Sequence, residues 1–185
     1  MSSLAFRVAH PQSSWRLIAF AALGAMVITL GAKIQIPFWP VPMTLHTFAV
    51  FLCSALLGPR AAVAAMLTYL GAGAMGLPVF SGSPERGIGL AYMVGPTGGY
   101  LLGFLVASGL VGWLAKGRGW LGCAIAMLIG LMVVYATGLA WLAIFVPSSK
   151  LLAAGLVPFL LGDLVKIAIA AMLVSGAARL KGAMK

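Results

Sequence analysis

The sequence predicts an all-α membrane protein with six transmembrane helices and both termini on the cytoplasmic side. Three observations carry that expectation. Of 185 residues, 63% are hydrophobic and 8% charged, whereas a soluble domain carries about 25% charged residues and about half apolar ones; the mean hydropathy of +1.12 names lipid as the solvent. Charged residues and Pro/Gly clusters cut the chain into six apolar stretches. The basic residues then fall unequally on the two sides that six crossings define.

A helix needs about 20 apolar residues to cross a hydrocarbon core about 30 Å thick. The first candidate covers about 17–36. The residues before it are short and mixed polar, with no small-residue cleavage site leading to a polar mature region, so this stretch reads as a retained span rather than a signal peptide. Pro37-Phe38-Trp39-Pro40-Val41-Pro42 ends it, because proline lacks the N–H donor and restricts the residue before it. The second candidate, about 44–57, is short and closes at the turn Gly58-Pro59-Arg60. The third, about 61–75, breaks at Gly76-Leu77-Pro78, the start of a long Gly/Ser/Pro loop to Gly89. The fourth covers about 90–115, the fifth about 121–145 and the sixth about 156–179, separated by the short turns Lys116-Gly117-Arg118-Gly119 and Pro147-Ser148-Ser149-Lys150. One helical domain, 1–185, is the natural unit at this length.

On the side of the termini fall Arg7, Arg16, Arg60, Lys116, Arg118, Arg179, Lys181 and Lys185; the other side has Lys33, Arg86 and Lys150. Eight against three satisfies the positive-inside rule. Orientation thus explains most of a net charge of +10. Nucleic-acid binding is excluded, because the positives are single residues between apolar blocks without interleaved aromatics. Trp39, Tyr92 and Trp141 suit an interfacial belt. Cys53 and Cys123 lie inside apolar stretches without metal-ligand spacing, as buried thiols do.

The acid inventory excludes most catalysis. The chain holds one Glu, Glu85, and one Asp, Asp163. Paired-carboxylate chemistry would need both to converge. Gly95-Pro96-Thr97-Gly98-Gly99-Tyr100 lacks the lysine of a phosphate-gripping loop, so ATP hydrolysis by this chain alone is excluded. No cofactor or metal is called for, and no enzyme activity.

Asp163 and Lys166 are three apart and share a helix face about two turns inside the sixth stretch. A lone charge at membrane depth costs roughly 2.5–3.5 kcal/mol on insertion scales. Two readings stand: a mutual ion pair that neutralises both, or a polar ligand site facing the bundle interior. Thr44 and His46 sit where the Pro-rich connection enters the second stretch and offer hydrogen-bonding groups at the outer mouth of such a cavity. Arg86, beside Glu85, is either solvated or part of a lid that meets an anionic group. Tyr92 and Tyr100 suit an apolar pocket wall as well as an interface. Small residues at Gly95, Gly99, Gly103 and Ala107, and at Ala21 and Ala25, allow close helix approach, either within the bundle or to a partner subunit.

Several motifs together resemble the BioY biotin-transporter family: Ile36-Pro37 with Val41-Pro42-Met43-Thr44-Leu45-His46-Thr47, Leu57-Gly58-Pro59-Arg60, Gly76-Leu77-Pro78-Val79-Phe80, Gly95-Pro96-Thr97-Gly98-Gly99-Tyr100 with Gly103-Phe104, and Pro158-Phe159-Leu160 with Gly162-Asp163-Leu164-Val165-Lys166. They run in order from about residue 17 to 180. The family commonly has Gln where this chain has His46. The resemblance implies a six-helix substrate-binding component (S component) of an energy-coupling-factor transporter in the cytoplasmic membrane, binding biotin tightly from outside. It implies a transmembrane coupling subunit and paired ATPase subunits as partners, or a homo-oligomer. It implies further that Asp163 and Lys166 are the acid–base pair of the biotin site, that Arg86 contributes there, and that Ala21 and Ala25 form the docking face. Without the resemblance, an autonomous secondary transporter of another vitamin or amphipathic anion, and a membrane-embedded enzyme, stand as alternatives.

Overall fold

The computed structural model describes residues 14–36 and 40–183, so Arg7, Lys185 and the Pro37, Phe38 and Trp39 of the connection lie outside the described residues. Helix α1, Ser14–Lys33, leads into a two-stranded hairpin of β1, Gln35–Ile36, and β2, Met43–Thr44, with Gln35 opposite Thr44 and Ile36 opposite Met43. Then come α2, His46–Leu57, and α3, Pro59–Ala74. A long outer loop leads to the short α4, Gly89–Met93, followed by α5, Gly98–Leu114, and α6, Trp120–Leu142. The chain ends in α7, Ser148–Gly155, and α8, Val157–Ala183.

Helix α5 packs along α6, α1 lies on α3 and α2, and α8 closes the bundle against α6 and α2. The outside is apolar: Leu23, Met132, Leu161 and Met172 are all more than half exposed. Water would penalise such a surface, whereas hydrocarbon is its natural solvent. Among the described residues three stretches are long and apolar enough to cross a membrane by themselves, Ser14–Lys33, Trp120–Leu142 and Ser148–Leu180, and His46–Leu57 and Gly98–Leu114 are shorter apolar helices.

One expected span is divided, and one expected turn is helical. The stretch about 90–115 breaks into α4 and α5, because Pro96 has no N–H to donate and keeps Gly95 out of helical geometry. Ahead of the sixth stretch, the turn expected at Pro147 to Lys150 winds instead into α7, which breaks at Leu156 (φ −133°, ψ −58°) before α8 begins. The Pro-rich connection is anchored as a hairpin rather than running free, with the Leu45 amide donating to the Ile34 carbonyl at 3.1 Å.

The small-residue stripe of α5 serves packing within the chain. A Cβ on Gly103 would lie 2.7 Å from Val134 Cα, so this stripe is what lets α5 and α6 touch along their backbones. On α1, Ala21 and Ala25 are buried at 8% each. Between them Gly24 presses on α3, where an added Cβ would meet Ala65 Cβ at 2.6 Å. Ala21 and Ala25 flank that contact on α1.

The α2–α3 turn rests on α5. Gly58 takes φ +78°, a left-handed conformation that favours glycine, and Pro59 starts α3 without losing a bond. A Cβ on Gly112 would lie 2.8 Å from Pro59 N and 2.9 Å from Gly58 C, both backbone atoms that cannot rotate away. Gly112→Ala is expected to destabilise by about 1–3 kcal/mol, as overpacking does. The check is the thermal midpoint of the detergent-solubilised protein; an unchanged midpoint would show that the turn yields freely.

Candidate functional site

The hairpin sets the entry to α2. The His46 amide donates to Thr44 Oγ1 at 3.2 Å, and the chain turns there so that the first side chain of α2 points inward. The His46 ring lies 4.5 Å from the Phe104 ring of α5 and edge-on to the Tyr69 ring of α3 at 5.2 Å. Tyr69 in turn meets Phe80 of the outer loop at 5.5 Å, and Phe80 stacks on Tyr92 of α4 at 4.8 Å. An aromatic row thus joins five segments under one cover.

That cover is the outer loop, folded down rather than solvated. Phe80 is fully buried, and Ser81 and Ser83 are buried too. The Lys33 ammonium donates to the Ser83 carbonyl at 2.9 Å and to its hydroxyl at 3.0 Å. The Ser81 hydroxyl donates to the Gln35 side-chain carbonyl, and Arg86 donates to the Pro40 carbonyl at 3.3 Å. Loop and hairpin therefore hold each other.

The charged pair lies deeper. Asp163 and Lys166 sit on one face of α8, their groups 2.9 Å apart. The second carboxylate oxygen accepts from the Tyr135 hydroxyl of α6 at 2.7 Å. The ammonium also donates to the Thr44 carbonyl of β2 at 2.6 Å. One cluster therefore ties α8, α6 and the hairpin together. Asp163 is 4% exposed, and the Lys166 side chain 18%. At 1.5 Å per residue, Asp163 lies about 9 Å from the start of α8, and Tyr135 about 10 Å from the end of α6, so the cluster forms at one level.

These groups bound a cavity with about 590 Å³ of atom-free space, part of it open to the outside. Thr44, His46, Tyr92, Tyr100, Asp163 and Lys166 all line it, so six of the residues expected from the sequence converge. Arg86 does not line it; with Glu85 and Pro40 it borders an adjoining depression that shares Tyr92 and Thr97 with the cavity. Tyr100 contributes its ring, since its hydroxyl donates to the Gly155 carbonyl of α7 at 2.7 Å. Trp141 donates to the Gly95 carbonyl at 2.9 Å and pins the α4–α5 break to α6.

All four tyrosines of the chain line this one cavity, Tyr69 and Tyr135 unforeseen. The signal was present: a tyrosine in the middle of an apolar stretch needs an acceptor for its hydroxyl, and Asp163 is the only carboxylate within the apolar stretches.

The donor arithmetic leaves capacity for a ligand. An ammonium has three N–H donors, and two of Lys166's are placed. Each Asp163 oxygen accepts one protein donor and keeps a second lone pair. His46 Nε2 is buried and has no hydrogen-bond partner among the described residues. A buried polar atom left so is costly unless a ligand or water meets it.

Comparison with known proteins decides the family. The BioY family model matches residues 6–183. The chain belongs to the BioY family. Among its relatives in the family, the biotin transporter BioY of Thermotoga maritima is 40% identical over 160 residues, covering 85% of this chain and 93% of that one. A probable biotin transporter BioY of Pyrococcus horikoshii is 38% identical over 165 residues, covering 89% and 96%. The fold matches a crystal structure of the S-component for biotin from an ECF-type ABC transporter, with a TM-score of 0.78, 26% identity, and coverage of 90% of this chain and 92% of that one. These BioY relatives carry transporter names.

Proposed function

We propose that this chain binds biotin with high affinity and serves its uptake as the substrate-specific subunit of an ECF-type transporter. In this reading it is one domain crossing the cytoplasmic membrane six times, by α1, α2, α3, α5, α6 and α8, with both termini inside. The observation that carries the proposal is the buried Asp163–Lys166–Tyr135 cluster lining a cavity of about 590 Å³ in a chain of this family.

Biotin brings a ureido group with N–H and C=O, an apolar sulfur ring and a carboxylate tail. The acceptor capacity of Asp163 matches an N–H, and the remaining Lys166 donor matches a carbonyl or carboxylate oxygen. His46 Nε2 gives a further polar contact, and the tyrosine rings with Phe104 flank the apolar ring. Arg86, in the adjoining depression, suits an anionic group at the rim. A coupling subunit and an ATPase pair complete the machine, since this chain has no phosphate-gripping loop.

The test is a pair of measurements on proteoliposomes containing this chain alone. Labelled biotin should bind at one per chain, and an ion gradient should drive no accumulation. Gradient-driven accumulation without partners would contradict the proposal in favour of secondary transport. Within the site, Tyr135→Phe keeps the ring and removes one donor from Asp163. A hydrogen bond to a charged group is worth about 1.5–3 kcal/mol, so biotin affinity should fall roughly tenfold or more with the fold kept. Equal affinity would show that Tyr135 orients nothing.

A further inference from the structure

The other end of the bundle holds a second concavity that the biotin site does not explain. The end of α2, the α5–α6 turn and the last turns of α8 enclose a groove lined by Arg118, Trp120, Ser175 and Arg179 among small apolar residues. Trp120, Ser175 and Arg179 also border a second depression that continues past Met172 and Gly176. Met172 is 56% exposed, and a Cβ on Gly176 would meet no atom within 4 Å, so the continuation runs open along the apolar outside of α8.

Among the described residues the charge at this end has no acidic side chain beside it. The chain's two acidic residues are Glu85, in the loop at the opposite end, and Asp163, in its pair with Lys166. That pair is the only ion pair among the described residues. Arg118 and Arg179 are both exposed, so their charges face outward. Helix α6 starts here at Gly119 without a side-chain cap, adding the positive end of a 23-residue helix. Trp15, Trp113 and Trp120 are exposed at this same end, at 65%, 67% and 53%, as tryptophans at a membrane–water boundary are.

We propose that this groove binds one anionic phospholipid, its headgroup phosphate on Arg118 and Arg179 and an acyl chain along Met172 and Gly176. A basic pocket between transmembrane helices at headgroup level is suited to an anionic headgroup. The apolar continuation favours a lipid over an acidic protein surface, because it provides a path for a hydrocarbon tail that a protein partner does not need.

The experiment is native mass spectrometry of the full chain in nonionic detergent, titrated with phosphatidylglycerol and, separately, with phosphatidylcholine. Phosphatidylglycerol should be retained in preference to phosphatidylcholine, and millimolar inorganic phosphate should not displace it. The double variant Arg118→Gln/Arg179→Gln should lower that preference roughly tenfold or more, since each basic group near a headgroup contributes several-fold. Arg118→Lys/Arg179→Lys should keep most of it. Arg60→Gln, exposed at the same end but outside the groove, should leave it unchanged. The proposal is overturned if the unaltered chain shows no preference, which would leave the arginines to an acidic protein partner. It is also overturned if inorganic phosphate displaces the lipid, or if Arg60→Gln lowers the preference as much as the double variant.

Discussion

Replacing Asp163 with alanine is expected to abolish biotin binding and to destabilise the protein at the same time. The carboxylate accepts from Tyr135 at 2.7 Å and from Lys166 at 2.9 Å in a site where it is 4% exposed. Its removal takes the acceptor from the Tyr135 hydroxyl and leaves the Lys166 ammonium without its counter-charge. Removing one partner of a buried pair costs about 3–5 kcal/mol. The lower end applies here, because Lys166 keeps the Thr44 carbonyl at 2.6 Å and its side chain is 18% exposed. Asp163→Asn separates the two effects. It retains one carbonyl acceptor and the shape, so the stability loss should shrink while the charge-dependent part of the biotin affinity is still lost. A ligand-binding titration beside a thermal melt checks this. Full biotin affinity in Asp163→Asn would show that the carboxylate acts only as a structural counter-charge.

Lys166→Ala is the second large effect. The ammonium joins α8 to the hairpin through Thr44 and holds its remaining donor toward the cavity. Without it, Asp163 keeps only the Tyr135 hydroxyl, and β2 loses its tie to α8. Truncating one partner of a buried, hydrogen-bonded charge pair costs roughly 2–5 kcal/mol, which corresponds to a loss in biotin affinity of about thirtyfold or more. The dissociation rate should carry most of the change. Because the variant also frees the hairpin, amide exchange in residues 43–46 should accelerate. Unaltered exchange with weakened binding would place the role of Lys166 wholly in the ligand contact.

The bundle was legible in the sequence because lipid imposes long apolar stretches that charges and prolines interrupt. The Asp163–Lys166 pair was legible for a related reason: a charge at membrane depth is costly enough to stand out against its surroundings. Two kinds of feature were not legible. The break at Pro96 divides an apolar run whose composition reads as continuous, and α7 winds where Pro147 to Lys150 read as a turn. The partners of the pair come from far along the chain, Thr44 being 122 residues from Lys166 and Tyr135 28 from Asp163. Periodicity says which face of a helix is apolar but not which distant helix meets it. Arg86 was read into the site by its charge and lies in the neighbouring depression, a placement that no local pattern in the loop announces.

Isothermal titration of the purified chain with biotin tests the central claim most directly. The cavity and its charged cluster predict tight binding of one biotin per chain, with the heat lost in Lys166→Ala. No binding at micromolar biotin, or undiminished binding in that variant, would contradict the assignment of this cavity to biotin.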